Sequence, residues 1–339
     1  MPLKVTTWNL EHSERLISDT PSAVIAERRQ RIRDTVEEIA PDILCIQEGP
    51  KGAAAVQALS DQVFGGSLVP VLLPGASDPD YKTDGTQWIW FLVRPELAGR
   101  CRLQAPSVWQ AFTEAPTWKV NLWGKVTPYL HSHYRHPQVL IYRIDDAHEL
   151  ELIGVHLKSK INKLKVTRDA NKNLPAEYVD EALEARIKLA TEARDVRQYV
   201  GAKFLQLENP GIVVLGDCND GPGRDFFEVQ YLFFDLISNI QGEVLVAEQF
   251  FNHALFDLHP DLRWTAKYAD PVLDISASHN PLLLDHILIS QPLCNGSLPI
   301  VANAHAGLVE HQAFERHNAG ASSARRTSDH RPTSIVFSD

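Results

Sequence analysis

The chain has 339 residues, 44% hydrophobic and 22% charged, an ordinary globular composition that leaves room for a sizeable core. Its net charge of -10, from 33 Lys and Arg against 43 Asp and Glu, argues against a dedicated DNA-coating protein, although a bound metal or a local basic patch can reverse the field at a site. Cys45, Cys101, Cys218 and Cys294 show no CxxC spacing, the N-terminus has no apolar core, and no apolar run approaches the ~18 residues of a membrane span, so neither zinc site, disulfide framework, secretory signal nor span is expected and a cytoplasmic setting is.

In chain order, short apolar runs bounded by polar residues read as buried strands. The first two cover residues 5–10 and 43–47. Between them Ile25, Ile32, Val36 and Ile39 recur at near-helical spacing, and Pro41 ends that helix. Strands follow at 87–93, 139–144 and 150–157, with the polar break at 145–149 reading as a hairpin. Val179, Leu183, Ile187, Ala190, Ala193, Val196, Val200 and Phe204 then form the apolar stripe of an amphipathic helix. Asn209-Pro210-Gly211 is a turn signal before a strand at 212–216. A third, aromatic helix is expected over 224–240, strands at 282–290 and 333–337, and a long polar loop at 303–328.

Strands interspersed with helices, and paired as hairpins, favour a mixed or antiparallel α/β sandwich over a strict βαβ repeat. Neither GxGxxG nor a Walker A sequence is present. Without internal repeats the chain reads as one domain over 1–339, carrying a basic loop and the amphipathic helix as an insertion at about 158–208.

Polar residues gather where the strands end: Asn9 and Glu11 in TTWNLEH, Glu48 in DILCIQEG, His156 in GVHLKS, Asp217 and Asn219 in VVLGDCND, Asp285 in LLLDHILIS, and Asp329 and His330 in TSDHRP. Singly, each also reads as a strand cap, a turn residue or a hydrogen-bonded core residue. A charged group within an apolar strand is costly to bury unless paired or metal-bound, but at strand ends such groups can converge on one pole of a sheet. Oxygen donors with few His and no Cys suit Mg2+, Mn2+ or Ca2+, which polarise a phosphoryl oxygen and orient water.

Taken together and in this order, the WN, QE, GDCN and SDH segments resemble the endonuclease/exonuclease/phosphatase superfamily over nearly the whole chain. The resemblance implies a four-layer α/β sandwich of two mainly antiparallel packed sheets flanked by helices. It implies Mg2+ (or Mn2+) held chiefly by Glu48, with Asn9 and Asp329 nearby. Asp217 would orient or deprotonate the attacking water, and Asn219 would hold the nucleophile or a phosphoryl oxygen. His330, oriented by Asp285, would contact the scissile phosphate or move a proton. His156 would stabilise phosphoryl oxygens or protonate the leaving group; which His is acid and which is base stays open. Arg135, in an Arg-x-Pro before a strand, matches a phosphate contact. Where the deoxyribonuclease branch carries a second Glu this chain has Thr86, so His156 lacks that partner. Replacing Asp217 or His330 by Ala is expected to cost roughly 100-fold in turnover, with little effect on folding because both are expected at an open site.

After His156 comes a basic run of Lys158, Lys160, Lys163, Lys165, Arg168 and Lys172, a candidate contact for a polyanion. Neutralising Lys160 and Lys163 is expected to weaken substrate binding and flatten its salt dependence. Trp118 and Trp123 are candidate substrate walls, whereas Trp88 and Trp90 read as packed. Arg325 and Arg326 precede SDH, and residues 264–268 lie in a stretch that relatives of this kind use near substrate. The leading expectation is a metal-dependent phosphodiesterase on nucleic acid, endonuclease or exonuclease. The alternatives are a phosphatase or phospholipase-type diesterase for a small or lipid phosphate, and a catalytically silent binding scaffold.

Overall fold

A computed structural model describes residues 2–112, 119–120, 129–130, 133–170, 172–223, 225–232 and 235–339. The strands are β1 (Leu3–Asn9), β2 (Ile43–Gly49), β3 (Val69–Pro70), β4 (Trp88–Val93), β5 (Cys101–Leu103), β6 (Lys119–Val120), β7 (Tyr129–Leu130), β8 (Gln138–Arg143), β9 (Glu149–His156), β10 (Gly211–Asp217), β11 (Asn252–His253), β12 (Ala266–Lys267), β13 (Pro281–Leu282), β14 (Asp285–Ile289), β15 (Gly307–Val309) and β16 (Thr333–Phe337). The helices are α1 (Ala23–Ile39), α2 (Ala53–Leu59), α3 (Pro106–Phe112), α4 (Ala176–Gln206), α5 (Leu236–Gln241) and α6 (His311–Asn318).

Two six-stranded sheets form the body, in the orders β15-β16-β1-β2-β4-β3 and β11-β14-β10-β9-β8-β5. Each has one parallel pair at its centre, β1 with β2 and β9 with β10. The other pairings within both sheets are antiparallel. Both faces of the second sheet are buried, which is why its strands read as continuous apolar runs. On its inner face Leu150, Leu152, Val213, Leu215, Ile287 and Ile289 pack into a core shared with Val5, Cys45, Phe91 and Ile335 of the first sheet. On its outer face the alternate residues Ile153, Val155, Ile212, Val214 and Leu288 meet Leu189, Ala193, Val196 and Val200 of α4 and Ile237 of α5. The sheets approach so closely that a Cβ on Gly154 would lie 2.8 Å from Cys45 Sγ.

Helix α1 begins where the Ser22 side chain accepts from Ile25 N, and ends at Ala40, whose left-handed backbone precedes Pro41. The hairpin at 145–149 is present, with Asp145 Oδ1 accepting from Ala147 N and His148 N. Three expectations change. The stretch 303–328 is not an open loop, because it contains β15 and α6. A three-residue strand and an eight-residue helix with few apolar positions leave no periodicity to read. Gly307 fits there because Ala254 O would lie 2.1 Å from a Cβ. The aromatic stretch after Gly223 forms a π-helical turn at Glu228–Leu232 and the short α5 rather than one helix, with 224, 233 and 234 outside the described residues. The run at 282–290 divides into β13 and β14.

Candidate active site

The inner-face row of the second sheet changes from apolar to ionisable at one end. Register sets Asp217 beside His156 on the parallel neighbour and beside Asp285 on the antiparallel one. All three fall on the same face as inner-core residues of their own strands, Asp217 and Asp285 two positions from Leu215 and Ile287 and His156 four positions from Leu152. Asn9 continues the inner row of β1 in the facing sheet, and its Nδ2 donates to Asp217 Oδ2 at 2.9 Å. The pole of the sandwich thus gathers groups far apart in sequence.

Asp217 is 1% exposed. Its Oδ1 accepts from Asn219 N at 2.8 Å. Burial raises its pKa to about 6; the positive field of His330 opposes that rise and Asp285 adds to it. His330 Nδ1 is 2.7 Å from Asp285 Oδ2, and Trp8 Nε1 donates to the His330 carbonyl. Burial disfavours the imidazolium, but the carboxylates of Asp285 and Asp217 outweigh it and push His330 up to about 10. His156 moves the other way: burial, then the charges of Arg135 and His330, hold it well below 6.5. Its Nε2 lies 3.5 Å from Asp217 Oδ2, and its buried Nδ1 has no hydrogen-bond partner among the described residues. The two imidazoles are therefore separated electrostatically, His330 charged and His156 neutral. Both Asp217 and His330 are buried, so the expected open setting of these two residues is corrected: the row that brings them together also packs them.

Glu48 follows a register shift in β2 and takes a left-handed backbone, φ 54°. Asn219 does the same at φ 52°. Side chains rarely adopt this region, and it is stored at sites that the surrounding structure over-determines. Glu48 Oε2 accepts from His12 N at 2.9 Å, and Asn9 Oδ1 accepts from Glu11 N at 3.0 Å. Glu11 in turn meets Arg326 at 3.3 Å, and Arg326 lies 3.7 Å from Asp329. Arg28 of α1 donates to the carbonyls of Leu10 and Thr327, tying these loops together. Asp217, Asp285 and His330 also offer atoms within 4.8 Å of one another. Both His330 nitrogens are already engaged, Nδ1 by Asp285 and Nε2 by the Tyr268 hydroxyl at 2.9 Å.

Arg135 Nη2 donates to Gln87 Oε1 at 2.7 Å and Nη1 to Leu157 O at 3.3 Å. Asn219 Nδ2 donates to the same carbonyl at 2.9 Å, which places Arg135 beside the Asp217 loop. Among the described residues Lys158 Nζ donates to the adjacent Ser159 carbonyl, and burial lowers its pKa. Lys160, expected at the substrate, has its ammonium among Asp220, Asp225 and Glu228. Arg325 pairs with Glu27. Trp88 and Trp90 are packed as expected, each 1% exposed. Trp118 and Trp123 lie outside the described residues. Tyr268 closes the stretch 264–268 that the sequence marked as near substrate, though with no role of its own: its hydroxyl donates to Asp329 Oδ2 at 2.8 Å and meets His330, partners more than sixty positions away.

No family model matches the chain, and no curated protein does. Solved structures do. A D. rerio TDP2 complexed with single-strand DNA product is 17% identical, with a TM-score of 0.52, covering 100% of this chain and 99% of that one. An AP endonuclease from Leishmania major is 12% identical at a TM-score of 0.56, covering 100% of this chain and 88% of that one. An endonuclease/exonuclease/phosphatase from Bacteroides vulgatus is 12% identical at 0.50, covering 100% and 99%. At such identities the likeness is one of architecture: this chain, two mixed six-stranded sheets flanked by helices, shares the fold of these proteins.

Proposed function

We propose that this chain is a divalent-metal-dependent phosphodiesterase acting on nucleic acid. The observation that carries the reading is the buried pole where Asp217, its pKa raised to about 6, stands between a charged His330 and a neutral His156. A structural ion pair does not require a second carboxylate and a second imidazole in the same row. The D. rerio TDP2 bound to single-strand DNA product supports nucleic acid as the substrate.

The donor set on the Glu48 side fits a hard cation: a carboxylate with one oxygen held by His12 N, the Asn9 amide oxygen, and Asp329. Glu48, with Asn9 and Asp329, would hold Mg2+ or Mn2+, which when bound supplies charge neutralisation of a phosphoryl oxygen. The chain's own groups do the rest. Asp217, ionised above about pH 6, accepts a proton from water, and Asn9 Nδ2 fixes the carboxylate in place. Asn219, whose amide holds the other oxygen of Asp217, sits where it can steady the nucleophile. His330, kept protonated by Asp285, offers positive charge to the phosphate. Neutral His156 and the neighbouring Arg135 line the opposite side, and Lys158 extends that positive edge.

Plasmid cleavage by purified protein with Mg2+ or Mn2+ tests the reading, beside EDTA and Asp217→Ala controls. Nicking that EDTA and the variant abolish is expected. A second reading, hydrolysis of a small or lipid phosphate, is favoured by the net charge of -10 and the inward-turned Lys160. A folded protein that leaves plasmid and single-strand DNA intact but cleaves an inositol phosphate or phospholipid would replace the first reading by the second.

A further inference from the structure

The loop from Asp217 to Gly221 carries two groups of the proposed chemistry, and its outer side is held at Asp220. Asp220 is 2% exposed. Its carboxylate bonds the Lys160 ammonium, which also lies 2.9 Å from Asp225 and 3.5 Å from Glu228. Arg186 of α4 reaches Asp225 at 2.6 Å, anchoring the cluster to the longest helix. Lys160 thus ties the segment after β9 to the segment after β10.

The Asp220 carbonyl is held from the other side. It lies 2.7 Å from His286 Nε2 and can only accept, so His286 Nε2 carries the hydrogen. His286 Nδ1 is then an acceptor, 2.8 Å from His253 Nε2, which must donate. His253 Nδ1 accepts from Leu255 N at 3.0 Å, closing the chain. A carbonyl at one end and an amide at the other fix both imidazoles as neutral, single tautomers.

We propose that Lys160 and His286, with His253 behind it, are positioning residues that lock Asp220 and thereby hold Asp217 and Asn219 in reacting geometry. The inference rests on the phosphodiesterase reading and gives Lys160 a role other than substrate contact. Asn219 and Asp220 share a peptide bond, Asn219 N holds Asp217 Oδ1, and Asn219 Nδ2 holds Leu157 O. A shift at Asp220 therefore reaches the proposed base within one residue. Misplacement by about 1 Å can cost up to 100-fold in rate.

The test uses Lys160→Met, Asp220→Asn, their double variant and His286→Gln in the full chain. The readouts are cleavage of a duplex oligonucleotide with Mg2+ and amide hydrogen exchange. Lys160→Met should lower kcat about 10-fold or more, on the scale of such misplacement, while KM and its salt dependence stay put. Exchange over residues 217–225 should speed up. The double variant should be little worse than either single one, because both remove the same contact. His286→Gln, which acts on the carbonyl alone, should give the same kcat loss and serves if Lys160→Met does not fold. Unchanged exchange, unchanged kcat, or a raised KM with normal kcat and a flattened salt slope would overturn the proposal. If the wild-type protein cleaves no phosphodiester, the functional reading fails by itself, and exchange alone then decides whether the lock exists.

Discussion

Asp217 and His330 sit in contact with one another's fields, yet their removal should act on stability in opposite directions. Asp217 is a buried carboxylate whose raised pKa, about 6, records the cost of keeping it ionised beside Asp285. Asp217→Asn keeps the shape and removes the charge. Turnover should fall by roughly 100-fold or more, while the melting temperature stays level or rises. His330→Ala removes the imidazolium from Asp285, which is 0% exposed and would be left as an uncompensated buried charge. Loss of one partner of a buried pair costs about 3–5 kcal/mol, so this variant should melt markedly lower as well as lose turnover. Calorimetry beside a plasmid-nicking assay checks both. A His330→Ala protein as stable as wild type would show that the pair holds nothing. At this scale the strand-end residues were legible only as a set: singly each also reads as a cap, turn or core residue, and it was their order beside successive apolar runs that marked them. The stretch 264–268 was marked, but not the contacts of the Tyr268 hydroxyl, since nothing local announces partners at Asp329 and His330 across the fold.

Strands β9 and β10 were readable because both their faces are covered, one by the other sheet and one by α4, so nearly every position is apolar until the end, the exception within β9 being Glu151, buried against Tyr199 and Lys203. Strand β15 and helix α6 were hidden because three and eight residues carry too little pattern, and the register to β16 comes from tertiary pairing. Lys160 was misleading for a related reason: a run of lysines gives no sign of which one turns inward. The segment that meets it, the π-helical turn at Glu228–Leu232, carries its own pH signature. Burial raises Glu228 from 4.5 to about 7, with Lys160 opposing and Asp220 and Asp225 adding. The folded state therefore holds this proton more tightly than the unfolded chain does. Glu228 favours folding below 4.5 relative to higher pH, and that contribution is lost as pH rises through about 7. Glu228→Gln imitates the protonated form at every pH. Its urea midpoint should match wild type near pH 4.5, exceed it increasingly as pH rises, and level off above about 7. A constant difference across that window would mean that Glu228 does not titrate in it.

The whole molecule carries a net charge of -10, so a polyanion approaches a surface that repels it on average. Binding must then rest on local cations that face solvent, and the structure divides the basic run into two kinds. Lys160 is inside its carboxylate cluster, and Arg168 donates to the carbonyls of Lys172 and Val272. Lys163 and Lys165 are exposed beside Lys158, on the segment that leaves β9 next to His156. Each cation that meets a phosphate releases counterions and adds about 0.9 to the magnitude of the slope of log affinity against log salt for duplex DNA. Replacing both Lys163 and Lys165 by Gln should therefore weaken binding of a labelled duplex and reduce that slope by about 2. Lys160→Met should leave the slope alone. Anisotropy titrations at several salt concentrations, on an Asp217→Asn background with Mg2+ so that the duplex survives, separate the cases. A slope unmoved by Lys163 and Lys165 would place the nucleic acid elsewhere on the pole, along Arg135 and Arg326, and would leave the basic segment as a structural strap between β9 and α4.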